Sequence, residues 1–362
     1  MINKKAIKKI LITGFFGVNN LGDDIMLDVF CKAVRTTCNC RITVLNLYGD
    51  KKNYNLPEGI DVLDISMFKH GKTIIVAEYL SRIYDALFWI GGTCFTENAG
   101  NGIYPYMKAF YNRGKKFGYI GVGIGNVESK RKKDMYCWLF NNASLVTFRD
   151  KESYKTAMEW SSNPQMFLCD DLVYLLDNKQ YKSEMSNSAG YLLISWRSYK
   201  GYYEESIEEK AIAELCKYVI LHRKQYSHIY VSILGNDVDF ERNRQIYLEL
   251  SKDLDVTFLQ DISTSNKIEL IKGAKTVITG RLHGVFISEM NRVNTIAIGY
   301  DNKLQRFMES INATSDLIYP QDMTVESITR AVGNSVDLSD NTIANKKKDA
   351  LRNVELFCDL VK

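Results

Sequence analysis

Thr276-Val277-Ile278-Thr279-Gly280-Arg281-Leu282-His283-Gly284 decides the fold class of this chain. The apolar, β-branched run reads as a buried strand, Gly280 as a turn, and the residues beyond it as the start of a helix. The same stretch sets Arg281 and His283 two residues apart. They stand where a helix presents unsatisfied N–H groups and the positive end of its dipole. That combination suits an anionic ligand on which a proton must also move. One predicted strand later comes Gly299-Tyr300-Asp301-Asn302-Lys303, which adds a further cation.

Outward from this stretch, short apolar runs alternate with helical patterns along the chain, which predicts α/β domains with parallel sheets. In the first half the predicted strands cover 9–13, 42–47, 86–90, 117–122, 145–148 and 166–168, with helices over 23–34, 104–111 and 132–141. Strands resume at 191–196, 229–234, 256–259, 276–278 and 295–298, with helices near 204–224, 240–250, 267–272 and 285–290. Between the two series lies a polar segment, rich in Ser and Asn and without clear periodicity, which reads as a linker. The expected organisation is a Rossmann-like domain over 1–178, a linker over 179–189, a second Rossmann-like domain over 190–340 and a C-terminal segment over 341–362. The helix of that last segment has no following strand and is expected to cross back onto the first domain. Two such domains place a cleft between the carboxyl ends of their sheets, where these folds bind ligands.

At 362 residues the chain fits two domains rather than one core. A net charge of +4, with no cluster of Lys and Arg interleaved with aromatics, argues against a nucleic-acid partner. The basic runs Lys130-Arg131-Lys132-Lys133 and Lys346-Lys347-Lys348 fall on helical patterns and read as solvated faces. Among eight cysteines only Cys38 and Cys40 stand close together, and no partner lies at zinc spacing. Reduced thiols and no metal site are expected. Lys4, Lys5, Lys8 and Lys9 precede an apolar run over 10–18 that reads as a first buried strand rather than a signal peptide. No run reaches the length of a membrane span, and a cytoplasmic protein is expected.

Further motifs fall at the predicted strand ends. Gly14-Phe15-Phe16-Gly17-Val18-Asn19-Asn20-Leu21-Gly22-Asp23-Asp24 follows the first strand. Its glycines let backbone approach a ligand, Asn20 is both donor and acceptor, and Asp23 can accept a hydroxyl proton. A plain strand–helix turn, with Asp23 or Asp24 serving the helix N-terminus, explains it equally well. It lacks the ending of a phosphate-gripping P-loop. Trp89-Ile90-Gly91-Gly92-Thr93 ends another strand, and Gly121-Val122-Gly123-Ile124-Gly125 reads as a loop without the remaining dinucleotide spacing, which disfavours an NAD-dependent oxidoreductase. Arg149, in Phe148-Arg149-Asp150, either grips a carboxylate or phosphate or simply pairs with Asp150. Asp171, beside Asp170, is either a cleft residue or a turn residue. The other histidines are His70, His222 and His228, of which the last two read as surface or packing residues.

Together these motifs resemble the polysaccharide pyruvyl transferase family, whose patterns occur here in order from Gly14 to Phe307. The glycine-rich segment is matched from Gly14 to Asp24, the glycine-rich strand end by Gly91-Gly92, and an Arg-Asp step by Arg149-Asp150. The R-L-H-G motif is complete from Arg281 to Gly284, as is Y-D-x-K from Tyr300 to Lys303. Thr93 stands where a third Gly is usual, and Leu172 follows Asp171 where a Pro is usual. The resemblance implies a glycosyltransferase-B-like pair of Rossmann-type domains facing an interdomain cleft. It also implies transfer of a pyruvyl group from phosphoenolpyruvate to a sugar, leaving a ketal on two hydroxyls. Phosphoenolpyruvate carries a phosphate and a carboxylate, so Arg149, Arg281 and Lys303 are expected to hold the donor.

His283 is expected to act as general acid/base, since an imidazole ordinarily titrates near about 6.5 and can give and take protons. Asp23 is a second candidate base. Asn20, Gly22 and Asp24 are expected on the acceptor, and Gly91, Gly92, Gly123 and Asp171 in loops lining the cleft. No cofactor is implied beyond phosphoenolpyruvate as co-substrate. The acceptor is a free sugar chain, a nucleotide sugar or a lipid-linked glycan, the last requiring transient contact with the inner face of the membrane. Two other readings stay open. One is a nucleotide-sugar-dependent glycosyltransferase, in which Arg281 and Lys303 hold a diphosphate and His283 activates the acceptor. The other is a non-catalytic anion-binding protein of the same fold.

Overall fold

Two parallel β-sheets, with helices between most successive strands, organise the chain in the computed structural model, which describes residues 8–50, 54, 56–65, 73–177, 190–235, 237–300, 302–333 and 339–362. The predicted linker over 179–189, His70 and Asp301 lie outside the described residues. The chain divides into two compact units. The first comprises Met1–Val18, Asp23–Leu176 and Ala344–Lys362, and the second Asn19–Gly22 and Asp177–Ile343.

In the first unit, β1 (Lys8–Thr13) is followed by α1 (Leu21–Thr37), β2 (Cys40–Asn46), β3 (Asp61–Asp64), α2 (Thr73–Ile83), β4 (Ala86–Ile90) and β5 (Thr93–Phe95). Then come α3 (Tyr104–Asn112), β6 (Lys116–Ile124), α4 (Lys130–Asn142), β7 (Leu145–Phe148), α5 (Lys151–Trp160) and β8 (Met166–Leu168). The strand order is β3-β2-β1-β4-β6-β7-β8, with β5 pairing β6, and every pairing is parallel. The order reverses between β1 and β4, so their carboxyl ends flank the position where a doubly wound sheet takes ligands. β4 is buried throughout, as expected of a strand covered on both faces. Helix starts are set locally: Ser129 accepts the Lys132 N–H at 3.4 Å to open α4, and Asp150 accepts that of Ser153 at 2.8 Å to open α5.

One expectation is corrected here. Gly123 does not lie in a loop, because β6 continues through it to Ile124. Gly121, at φ +65°, lets the strand shift register against β7 between Tyr119 and Val122, and the strand then resumes. Gly121 therefore marks a bulge within the strand, and Gly125 follows its end.

The second unit runs β9 (Tyr191–Ser195), α6 (Glu205–His222), β10 (Ile229–Ser232), α7 (Phe240–Leu250), β11 (Thr257–Leu259) and α8 (Thr264–Lys272). It continues with β12 (Ala274–Thr279), α9 (Leu282–Met290), β13 (Asn294–Ile298), α10 (Asn302–Ser310), β14 (Leu317–Ile318) and α11 (Val325–Gly333). Its order is β11-β10-β9-β12-β13-β14, again parallel, and it reverses between β9 and β12. The Thr279 hydroxyl donates to the Ser195 carbonyl at 2.8 Å and ties the two strand ends together at that reversal.

The last helix, α12 (Asp340–Val361), belongs from Ala344 onward to the first unit. Phe357 is fully buried, with its ring 5.1 Å from that of Phe30 and 5.0 Å from that of Phe88. Asn353 donates to the Asp170 carbonyl at 2.9 Å.

Candidate functional site

Arg281 follows β12 at the switch point of the second unit. Its backbone N–H donates to Thr279 Oγ1 at 3.0 Å, and its carbonyl accepts the Val285 N–H at 3.1 Å as α9 begins. The guanidinium turns onto Asp239, with Nε 2.6 Å and Nη2 2.5 Å from one carboxylate oxygen. The other oxygen of Asp239 accepts the Ser198 N–H at 3.1 Å, and the residue is fully buried. Gly235 makes room for this pair, since a β-carbon there would lie 2.2 Å from Arg281 Cζ. The cation expected from the sequence is therefore already paired with a carboxylate. A buried carboxylate is costly without such a partner.

His283 is the second residue of α9 and is half-buried. Its ring lies 5.7 Å from that of Phe286, which stacks on Phe307 at 3.9 Å. Beside it runs the 19–22 segment, grouped with the second unit. Leu21 donates its N–H to the Leu234 carbonyl at 3.2 Å. The Lys267 ammonium, on α8 and almost fully buried, donates to both the carbonyl and the side-chain oxygen of Asn19 at 3.0 Å. Asn20 is half-buried in this segment, and Gly22 packs directly against the His283 imidazole. Lys303 is half-buried on the first turn of α10. Arg197, just beyond β9, lies 3.6 Å from the ring centroid of Tyr300. The roles of Asp239, Lys267 and Arg197 are not signalled by any local motif.

In the first unit, Arg149 follows β7, and its N–H donates to the Val122 carbonyl at 3.0 Å. Its Nη1 is 2.8 Å from Asp171 Oδ2 and its Nη2 is 3.0 Å from Thr93 Oγ1. The Arg149 and Asp171 side chains are only 8% and 2% exposed, so this is a buried pair. Burial works against the charged guanidinium, but Asp171, Asp150 and Asp23 outweigh it and hold Arg149 above the ordinary arginine pKa. Asp150 accepts hydrogen bonds from the Ser153 N–H and hydroxyl, and Arg149 pairs with Asp171. Asp171 also accepts the Val173 N–H at 3.0 Å, capping a short 3₁₀ turn that Leu172 opens. A Pro would suit that first position as well. Thr93, in place of the usual Gly, supplies a hydroxyl to Arg149.

Gly91 and Gly92, at φ +67° and +73°, form the turn between β4 and β5. A β-carbon on Gly92 would lie 3.0 Å from Asp23 Oδ1. Asp23 itself is buried on the first turn of α1. Asp24 accepts the Gly17 N–H at 3.2 Å and so braces the loop after β1.

Arg281, His283, Lys303, Asn20 and Gly22 thus belong to the second unit, and Arg149, Asp171, Asp23, Asp24, Gly91 and Gly92 to the first. Among the described residues, no group of three or more His, Cys, Asp or Glu side chains is placed to hold a metal ion, and no helix is long and apolar enough to cross a membrane.

A family profile described as polysaccharide pyruvyl transferase matches residues 20–302. No curated protein matches the chain. Among solved structures, UDP-GlcNAc 2-epimerase from Methanocaldococcus jannaschii is similar at a TM-score of 0.70 and 15% identity, covering 97% of this chain and 99% of that one. UDP-GlcNAc 2-epimerase from Neisseria meningitidis, bound to UDP-GlcNAc, is similar at 0.62 and 9% identity over 98% and 99%. A glycosyltransferase from Rickettsia africae is similar at 0.56 and 12% identity over 99% and 96%. At these identities the likeness shows the fold: two Rossmann-like parallel-sheet domains of glycosyltransferase-B type.

Proposed function

This chain belongs to the polysaccharide pyruvyl transferase family, and from that membership we propose that it transfers the pyruvyl group of phosphoenolpyruvate to a sugar of a surface or extracellular glycan, or of its precursor, as a ketal. The observation that carries this reading is the start of α9. There an imidazole stands two residues from a guanidinium, beside a glycine that clears space for it.

Phosphoenolpyruvate becomes reactive when its methylene carbon takes a proton, leaving positive charge at C2. A sugar hydroxyl then attacks C2, the C2–O bond to phosphate breaks, and a second hydroxyl closes the ketal, its proton leaving on the phosphate. His283 gives the proton to the methylene carbon and recovers one from an attacking hydroxyl. Arg281 and Lys303 hold the anionic donor. The Asp239 carboxylate fixes one edge of the Arg281 guanidinium, so the group is oriented before the ligand arrives. Asn20 is assigned to the acceptor sugar. In the first unit, Arg149 is assigned to holding an anion, with Asp171 and Thr93 fixing its orientation. Asp23 is the second candidate base.

The test is incubation of the purified chain with phosphoenolpyruvate and a panel of nucleotide-linked, lipid-linked and free glycans. The account expects phosphate release together with an acceptor heavier by one pyruvyl ketal. Release of a nucleoside diphosphate from a UDP- or GDP-sugar, without consumption of phosphoenolpyruvate, would establish a glycosyltransferase instead.

A further inference from the structure

Cys38, just beyond the last turn of α1, and Cys40, the first residue of β2, bring their sulfur atoms to 3.5 Å. Both are partly exposed. Cys358, fully buried on α12, interacts electrostatically with Cys38. All three thiols belong to the first unit and lie apart in sequence from the residues assigned above. We propose that Cys38 is a peroxide-reactive thiol that closes a disulfide with Cys40.

The chemistry of the cluster supports this assignment. The neighbouring thiols, Cys358 first and then Cys40, favour the charged form of Cys38, and Lys362 adds positive charge. Against the effect of burial they lower its pKa to about 4. The same contacts push Cys40 and Cys358 upward. The groups facing the pair are thus Cys358 from α12, Lys362 just beyond it, and Cys31 from α1, which acts on Cys40. A thiolate is the nucleophilic form of cysteine, so reactivity concentrates on Cys38. Burial raises the thiols of Cys31, Cys94, Cys169 and Cys216, and those residues are enclosed. Cys137 is partly exposed but also raised by burial, which makes it an internal standard.

The oxidation balances with a hydroperoxide as the two-electron acceptor. The Cys38 thiolate attacks one peroxide oxygen, an S–O bond forms, the O–O bond breaks, and the departing hydroxide takes a proton to become water. The Cys40 sulfur then attacks Cys38, the S–S bond forms, the S–O bond breaks and a second water leaves with the Cys40 proton. Closing from 3.5 Å to a bonded length of about 2.05 Å requires side-chain rotation.

The experiment treats the full chain with limiting hydrogen peroxide, blocks remaining thiols with iodoacetamide and maps the peptides. The proposal expects loss of two hydrogens per chain and a Cys38–Cys40 link. In untreated protein at pH 6, Cys38 should be alkylated on the order of tenfold or more faster than Cys137. In Cys40→Ser, oxidation should stop at a sulfenic acid on Cys38 that dimedone traps. Alkylation of Cys38 no faster than Cys137 would overturn the proposal, as would a disulfide joining any other pair or no disulfide at all.

Discussion

A β-carbon added to Gly22 would lie 1.7 Å from Nδ1 of His283. The two residues are 261 positions apart in the sequence, yet the glycine's missing side chain is the space that the imidazole occupies. Gly22 sits on the first turn of α1, where alanine is intrinsically the better helix former. Gly22→Ala should therefore fold but displace the imidazole. We predict a loss of turnover approaching that of His283→Ala, which should exceed about 10²-fold. The double variant should lose little more than either single one, because both remove the same group. Steady-state assays of the three variants check this, and fully additive losses would separate the two residues.

The Arg281–Asp239 pair predicts an asymmetric stability pattern. Arg281→Ala leaves a buried carboxylate without its cation, and such a loss costs about 3–5 kcal/mol when the pair is fully buried. Arg281 is 17% exposed, so the lower end of that range is expected. Adding Asp239→Asn should recover part of the loss. Denaturant midpoints of the single and double variants measure it.

Glu97 predicts an acid-side change in stability. Its carboxylate accepts the Ser129 hydroxyl at 2.6 Å and the N–H groups of Ser129 and Glu128 at 3.0 Å, which holds its pKa below the usual glutamate value. A depressed folded-state pKa contributes stability that is fully present above the unfolded value, about 4.3, and is lost as pH falls through the folded value. The difference in melting temperature between wild type and Glu97→Gln should be largest near neutral pH. It should shrink as pH drops below about 4. A difference independent of pH would contradict this assignment.

Phe357 predicts how far α12 supports the first unit. Its ring is fully buried against Phe30 and Phe88. Phe357→Ala should destabilise that unit by about 3–5 kcal/mol. Urea unfolding followed by a probe in the first unit checks this, and a change below about 1 kcal/mol would show that the site collapses without penalty.

Continuous apolar runs such as Ala86–Ile90 and the strand before Arg281 are legible because a strand covered on both faces announces itself by composition. The strands β3, β5 and β14 are not, since segments of four, three and two residues carry no usable period. Gly121 and Gly123 read as a loop in the sequence because a bulge and a loop both call for glycine. The motif residues around Arg149 and His283 could be named from local spacing. Their partners could not. Thr93 meets Arg149 across 56 positions and Asp239 meets Arg281 across 42, so only the folded topology brings them together. For that reason the Asp171 and Asp239 partners of the two arginines emerge only from the fold.

The most direct measurement is a calorimetric titration of phosphoenolpyruvate into wild-type protein and into Lys303→Ala and Arg149→Ala, with UDP-GlcNAc titrated in parallel. The account predicts saturable binding of phosphoenolpyruvate to the wild type, weakened in both variants and largely retained in His283→Ala. Absence of phosphoenolpyruvate binding while UDP-GlcNAc binds, or donor affinity unchanged in both cation variants, would contradict it.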